Sequence, residues 1–345
     1  MIIQIKNKIE RELPRTLRYL DRRYSIPAIS SLISKEMRLF ALGKGKRLRP
    51  IFLVLAYKGF AKYEAPGLYR TALSLELLHD FLIIHDDIID RSPARRGRPS
   101  LHKRLARYLK KKRHAKFTGE DLAIVIGDIM YALAIDTFLS IRENSARKER
   151  ALEKFIRATA LTGLGEGAEL LYTLKGITRI SKSDIEAVYD LKTASYSFAS
   201  PLVIGATLGG ASKLQSERLF KGGLFTGRAF QIRDDILGIF GEQKHTGKSP
   251  LTDLKEGKLT LLLWHAFHSA SKNDKLTIKR MLAKKNAKMR DLLKLRRILT
   301  RYGSLEYATQ EIERYIKKAE GLIMSSALSS KYKNLLINYA KELLT

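Results

Sequence analysis

Cysteine is absent from all 345 residues. That excludes disulfides, cysteine-ligated iron–sulfur clusters and thiolate zinc sites, and it fits a reducing compartment such as the cytoplasm. Uninterrupted apolar runs are scarce as well. The longest, Ile51–Tyr57 and Ile129–Ile135, are far too short to span a bilayer. The first stretch, MIIQIKNKIERELPR, is charged every few residues and has no apolar segment like that of a signal peptide. A cytoplasmic protein, at most peripheral to a membrane, is the expectation. There are only eight prolines, and Pro14, Pro50, Pro66, Pro93, Pro99 and Pro250 are expected to mark element boundaries. Acidic residues are few: 35 Asp and Glu stand against 65 Lys and Arg, a net charge of +30. That balance suits polyanionic ligands, nucleic acid or an anionic membrane, or simply a basic proteome, and charge alone does not choose among them. From Arg91 to Gly119 there is no acidic residue at all.

What the chain does have is helical periodicity from end to end. The segments Tyr69–Asp90, Leu122–Ile141, Ala151–Lys175, Lys182–Leu208 and Ser216–Phe240 carry apolar residues at three- and four-residue spacings. Lys272–Arg301 reads as short basic surface helices and Ser304–Leu328 as one more amphipathic helix. No convincing series of alternating strands occurs. The apolar fraction of 45% allows a sizeable core. Glycines 163, 165, 167, 209, 210, 222 and 223 fall within or between helices, where they let backbones approach closely. No Ser/Gly/Pro linker and no repeat period argue against division or a solenoid, so residues 1–345 are expected to form one domain.

The sharpest local feature is ELLHDFLIIHDDIID at 76–90. His79, Leu82, Asp86 and Asp90 follow at spacings of three or four and line one face of a helix. Asp86 and Asp90 then lie roughly 6 Å apart along the axis. Two carboxylates held so close repel each other unless a cation sits between them, and oxygen-only ligands at that spacing suit Mg²⁺. Alone, this pattern reads as readily as an exposed acidic helix end. A second acidic pair, Asp234-Asp235 in FQIRDDILGIF at 230–240, lies in an otherwise apolar helix. Carboxylates are costly to bury unless paired or metal-bound, and two such helices facing one another would line a cavity within a bundle.

Cationic clusters accompany both motifs. Lys46 and Arg49 lie in GKRLRP at 45–50, Arg95-Arg96-Gly97 follows the first acidic motif, and Gly247-Lys248 and Gly257-Lys258 follow the second. Guanidinium forks and lysines beside glycine turns make good phosphate ligands. Each cluster by itself is more often a solvated turn; beside two carboxylate pairs, together they point to a diphosphate substrate.

With these motifs in order, the chain resembles the trans-isoprenyl diphosphate synthases, also called polyprenyl synthetases. The resemblance runs from about Leu42 past Glu313 and adds RRGRPSLH at 95–102, GD at 127–128, LKTAS at 191–195, KHTGK at 244–248 and DLKEGKLTLLL at 253–263. It implies an all-α fold, one large helical bundle with a central active-site cavity. It also implies Mg²⁺, about three ions, with Asp86, Asp90 and Asp234 as principal ligands and Asp87 and Asp235 assisting. By the same resemblance Lys46, Arg49, His79 and Arg96 would hold isopentenyl diphosphate. Arg95, Lys192, Thr193, Gln231, Lys248 and Lys258 would hold the allylic diphosphate, Lys192 counting also among the catalytic residues. A homodimer is implied too. Departures are Gly238 where many members carry a third aspartate, and Lys44 where a glycine is common.

The implied reaction is ionisation of the allylic C–O bond, attack by the isopentenyl double bond and loss of a proton, with electrostatic rather than nucleophilic catalysis. Leu82 lies one turn below Asp86, and Phe81 lies about 7.5 Å down the helix from it. In the family an aromatic residue here goes with short products, so farnesyl or geranylgeranyl diphosphate is expected, the latter favoured. The plainer reading of Phe81 is core packing, and that of His79 a hydrogen-bonded core histidine. Rival functions are a non-catalytic partner subunit, which would be expected to lose aspartates, and a basic nucleic-acid-binding helical protein. A histidine–aspartate phosphohydrolase lacks its earlier histidine. The P-loop-like stretch Gly241–Ser249 has five intervening residues instead of four and follows a helix. Nucleic acid is not expected as a partner. The run Lys103–Lys116 has the composition for contact with anionic lipid, though a solvated segment is the plainer reading.

Overall fold

A computed structural model describes residues 1–95, 97–112, 114–241, 251–284 and 286–344. These fall into two compact units, Met1–Glu153 with Ile204–Ala211, and Lys154–Val203 with Ser212–Thr345. Both are helical, and the all-α expectation holds. The strands among the described residues are β1 (Ala94–Arg95) and β2 (Arg98–Pro99), an antiparallel hairpin of two residues each. No helix among the described residues is long and apolar enough to cross a membrane.

The first unit opens with α1 (Ile2–Arg23), α2 (Ile26–Ile29) and α3 (Ser31–Ala41). Pro14 does not end α1 as expected but sits inside it. A mid-helix proline removes one backbone hydrogen bond and costs about 3 kcal/mol. Here the stripe Ile5, Ile9, Leu13, Leu17 and Leu20 is buried along the same helix, and that burial outweighs the break. Next come α4 (Leu48–Phe60) and α5 (Leu68–Ile89). In α4 every residue from Leu48 to Tyr57 is buried, the pattern of a helix enclosed on all sides. Pro50 falls in its first turn, where its missing N–H is harmless. Helix α5 begins at Gly67, whose φ of 87° and whose ideal Cβ position, 2.2 Å from the Ser140 carbonyl oxygen, both require glycine. It packs against α7 (Gly119–Phe138), where the Thr71 hydroxyl donates to the Phe138 carbonyl at 3.0 Å. Between them run the β1–β2 hairpin and α6 (Leu101–Leu109).

Helix α8 (Ser145–Lys175) starts in the first unit and continues into the second. The expected helix over Lys182–Leu208 is three pieces. They are α9 (Lys182–Val188), a π-helix over Tyr189–Ala199, and α10 (Ser200–Leu208). A π-helix bonds i to i+5 and is rare, and here the next long helix packs along it. Apolar periodicity at three and four does not reveal it. The long α11 (Lys213–Phe240) lies along it through small residues: a Cβ on Gly227 would sit 2.4 Å from Ala194 Cα, and one on Gly223 2.5 Å from Ala199 Cα. Of the other glycines expected to permit close packing, Gly165 does so against the Lys192 amide, whereas Gly163 and Gly167 face open space. The unit is completed by α12 (Thr252–Glu256), α13 (Leu261–Ser269), α14 (Lys272–Leu282), α15 (Met289–Arg301), α16 (Ser304–Met324) and α17 (Ser330–Glu342). Its apolar core gathers Ile232 and Ile239 of α11, Leu261 and Leu262 of α13, Leu292 and Leu299 of α15 and Tyr315 of α16.

Candidate active site

In the first unit the candidate residues cluster at the carboxyl end of α5. His79, Leu82, Asp86 and Asp90 are all half-buried, while Leu78, Asp80, Ile83, Ile84 and Asp87 between them are buried. The expected face is therefore half-buried; Phe81, His85 and Ile88 on the neighbouring side are half-buried too, and Ile89 is exposed. One carboxylate oxygen of Asp86 and one of Asp90 lie within 4.8 Å of each other. The Asp90 amide still donates to the Asp86 carbonyl at 2.9 Å, and Arg91 then turns left-handed with φ 51°, ending the helix at the aspartates.

The hairpin that follows folds Arg95 back onto this end. Its Nη2 reaches Asp86 Oδ2 at 2.9 Å, and its Nε reaches Asp87 Oδ1 at 2.8 Å. Asp87 is only 1% exposed, so its charge is tolerable because Arg95 answers it. Burial opposes the Arg95 charge, but the Asp87 and Asp86 carboxylates outweigh it and raise the guanidinium pKa above its ordinary value. Arg95, expected on the allylic diphosphate, is here bound to the acidic motif. Lower on α5 the Phe81 ring lies edge-on to His85 at 4.7 Å and 5.1 Å from Tyr131 of α7. Of the lysine motif, Lys46 is exposed and Arg49 is buried in the first turn of α4.

The second unit brings Thr193, Gln231 and Asp235 together. The Thr193 hydroxyl donates to Gln231 Oε1 at 2.7 Å, and Gln231 Nε2 donates to Asp235 Oδ1 at 2.9 Å. Asp235 Oδ2 accepts from the Tyr189 hydroxyl, which in turn accepts the Leu261 N–H at 3.0 Å. Asp235 is thus 6% exposed and answered from two sides, while Asp234 beside it is exposed. On the π-helix, Lys192 Nζ lies 2.6 Å from Glu166 and 2.5 Å from Glu169 of α8. Lys258 is half-buried, 2.8 Å from Glu256. Arg96 and Lys248 lie outside the described residues.

Residues 30–299 match the family model for polyprenyl synthetase. The chain is 32% identical over 304 residues to the geranylfarnesyl diphosphate synthase of Aeropyrum pernix, covering 86% of this chain and 90% of that one. It is 30% identical over 290 residues to the geranylgeranyl diphosphate synthase of Saccharolobus solfataricus, covering 83% and 81%. A solved geranylgeranyl pyrophosphate synthase from Corynebacterium glutamicum, in complex with isoprenyl diphosphate and magnesium, superposes with a TM-score of 0.90 at 24% identity, covering 100% and 99%. The chain belongs to the polyprenyl synthetase family. It is a trans-isoprenyl diphosphate synthase, a prenyltransferase.

In this polyprenyl synthetase several site residues escaped the sequence reading. Arg47, between the two chosen cations of GKRLRP, turns inward at φ 54°. Its guanidinium donates to Glu76 at 2.9 Å, Glu10 at 3.0 Å and the Gly43 carbonyl at 2.8 Å. Nothing in a string of cations says which one faces inward. Glu166 and Glu169 carried a signal, a pair three apart in an amphipathic helix, but their partner Lys192 is distant in sequence. Tyr189 carried none.

The Tyr189 hydroxyl is testable. Burial first, and the Asp235 charge second, push its pKa well above the ordinary value of 10.0. Because the folded pKa is raised, this contribution to stability is complete below about pH 10 and lost as pH climbs toward the folded value. Tyr189→Phe is expected to cost about 1–3 kcal/mol at neutral pH, since Asp235 loses a donor and the Leu261 N–H its acceptor. Its stability is also expected to fall less steeply than that of the wild type above pH 10. Denaturant unfolding at pH 7 and in mild alkali checks both; equal slopes with an unchanged midpoint would rule the interaction out.

Proposed function

We propose that this synthase condenses isopentenyl diphosphate with an allylic diphosphate, releases diphosphate, and stops at farnesyl or geranylgeranyl diphosphate, with the latter favoured. The observation that carries this is the close approach of the Asp86 and Asp90 oxygens on a half-buried face of α5, with an aromatic ring below them. Oxygen donors alone, one helical turn apart, fit Mg²⁺. Asp86, Asp90 and Asp234 are the proposed ligands, and about three ions are expected. Bound there, Mg²⁺ would neutralise charge developing on the departing diphosphate. Lys46, Arg49, His79 and Arg96 hold isopentenyl diphosphate. Arg95, Lys192, Thr193, Gln231, Lys248 and Lys258 hold the allylic diphosphate, and fixed cations at the leaving group stabilise the transition state without reorganising. Asp87 and Asp235 assist the metal ligands, and they also hold Arg95 and Gln231 in place.

Relatives of similar identity are named for different products, so family membership does not set chain length. Phe81, held between His85 and Tyr131, is the proposed floor for the growing hydrocarbon. Two further partners belong to the proposal. One is a second copy of the chain, for which Leu164, Leu171 and Leu174 stand exposed along α8. The other is an anionic lipid surface, for which Lys110, Lys111, Lys112, His114 and Lys116 are exposed together with Tyr108 and Phe117.

Incubation with isopentenyl diphosphate and each short allylic diphosphate in Mg²⁺, followed by chromatography of the dephosphorylated products, is expected to yield mainly geranylgeraniol. Chelation is expected to abolish turnover, and Asp86→Ala or Asp234→Ala to lower it about 10²–10³-fold; turnover indifferent to chelation would sink the metal assignment. In the same assay Phe81→Ala is expected to lengthen the product, and an unchanged length would remove Phe81 as the floor. Sedimentation is expected to give twice the chain mass. Vesicles containing anionic phospholipid should carry the protein down where neutral vesicles do not, and equal behaviour with both would remove the lipid partner.

A further inference from the structure

On α11, Arg228, Gln231 and Asp235 follow at spacings of three and four and share one face. Each engages a different residue of the π-helix. Asp235 takes Tyr189 and Gln231 takes Thr193. Arg228 takes Asp190 as a two-pronged fork, Nε to Oδ1 and Nη2 to Oδ2, both at 2.6 Å. The remaining arm, Nη1, donates to Glu186 at 3.0 Å and approaches the Tyr315 hydroxyl at 3.5 Å; that hydroxyl donates to the other Glu186 oxygen at 2.5 Å. Phe225 stacks on the Tyr315 ring at 5.9 Å and closes the cluster from the side. The side chains of Arg228, Glu186 and Asp190 are 19%, 19% and 22% exposed, so water screens the fork only in part. The Asp190 hydrogen bonds, against the opposing effect of burial, raise the guanidinium pKa.

The cluster lies where a register has to be chosen. The seam of Gly223 and Gly227 against Ala199 and Ala194 sets how closely the π-helix approaches α11. Small, featureless residues do little to stop it sliding along the axis or relaxing to α-helical winding. A planar fork on a carboxylate does, because it is favourable in one orientation only. Asp190 is two residues before Lys192 and three before Thr193. Winding the segment as an α-helix would rotate both side chains and draw the Lys192 ammonium away from Glu166 and Glu169.

We propose that Arg228 is a positioning residue: its fork on Asp190, closed by Glu186 and Tyr315, sets the register of the π-helix on α11 and so places the Lys192 ammonium and the Thr193 hydroxyl for the allylic diphosphate. The substrate part rests on the function proposed above; the register part does not.

Arg228→Gln, Arg228→Lys and Asp190→Asn in the full chain test it through steady-state kinetics, thermal unfolding and hydrogen exchange across Tyr189–Ala199. Arg228→Gln is expected to raise the KM for the allylic diphosphate about tenfold while the KM for isopentenyl diphosphate stays within about twofold. Amides in the π-helix should exchange faster, with α13 and α15 unchanged. Arg228→Lys keeps the charge but loses the fork and is expected to fall between the two; with Asp190→Asn it carries the comparison should the glutamine variant not fold. Unchanged exchange across the π-helix would overturn the proposal, and so would a lowered melting temperature with both KM values rising together, since that marks a purely structural ion pair. If the wild-type chain turned over no prenyl substrate, the proposed function would fall, and exchange alone would decide the register role.

Discussion

A carboxylate can remain charged inside an apolar helix only if something nearby answers it, and the arrangement of this protein follows from how each one is answered. Asp87, Glu76 and Asp235 are all nearly excluded from water. Left alone, each would cost several kcal/mol or give up its charge. Arg95 answers Asp87, Arg47 answers Glu76, and Tyr189 with Gln231 answers Asp235. Gln231 lies on the same helix as Asp235, but Arg95, Arg47 and Tyr189 come from other parts of the chain and fix how those parts are attached. The buried member of a pair is thus a fastener, while its neighbour in sequence, Asp86 or Asp234, stays on the more open side.

This division of labour makes sense of the doubled aspartates. One turn of helix offers a half-buried Asp86 close to Asp90 and, one residue on, a buried Asp87 locked to the hairpin. The second motif repeats the pattern with an exposed Asp234 and a buried Asp235. Consecutive residues on a helix point about 100° apart, so a DD pair can serve two environments at once. The cationic partners behave alike. Lys46 faces out, Arg47 is sealed inside, and Arg49 is buried in the first turn of α4. Three cations within four positions therefore have three different surroundings.

The π-helix shows how a local irregularity can be held beside candidate site residues. Bonded i to i+5, it is much rarer than an α-helix. It is held by close backbone contact at Gly165, Gly223 and Gly227 and by polar contacts from one face of α11. These contacts surround Lys192 and Thr193, which the family resemblance marks for the allylic diphosphate.

Much of this was legible in the amino-acid order, because it depends on local periodicity. Apolar spacing of three and four marked α5, α7, α8 and α11, and the spacing of His79, Leu82, Asp86 and Asp90 placed them on one face that the fold leaves half-buried. Ordered motifs named the family. What only the tertiary structure decided was which charge answers which. The return of Arg95 onto Asp86 and Asp87, only eight or nine residues back, depends on the turn between them. The inward turn of Arg47, the capture of Lys192 by Glu166 and Glu169, and the π-helical winding of Tyr189–Ala199 depend on partners far away in sequence. So does the survival of α1 across Pro14, where burial of one face outweighs a broken backbone bond. A side chain's spacing along a helix is set by backbone geometry that every sequence shares, but its partner is set by whichever element the fold brings against it, and one chain read in order carries no record of that.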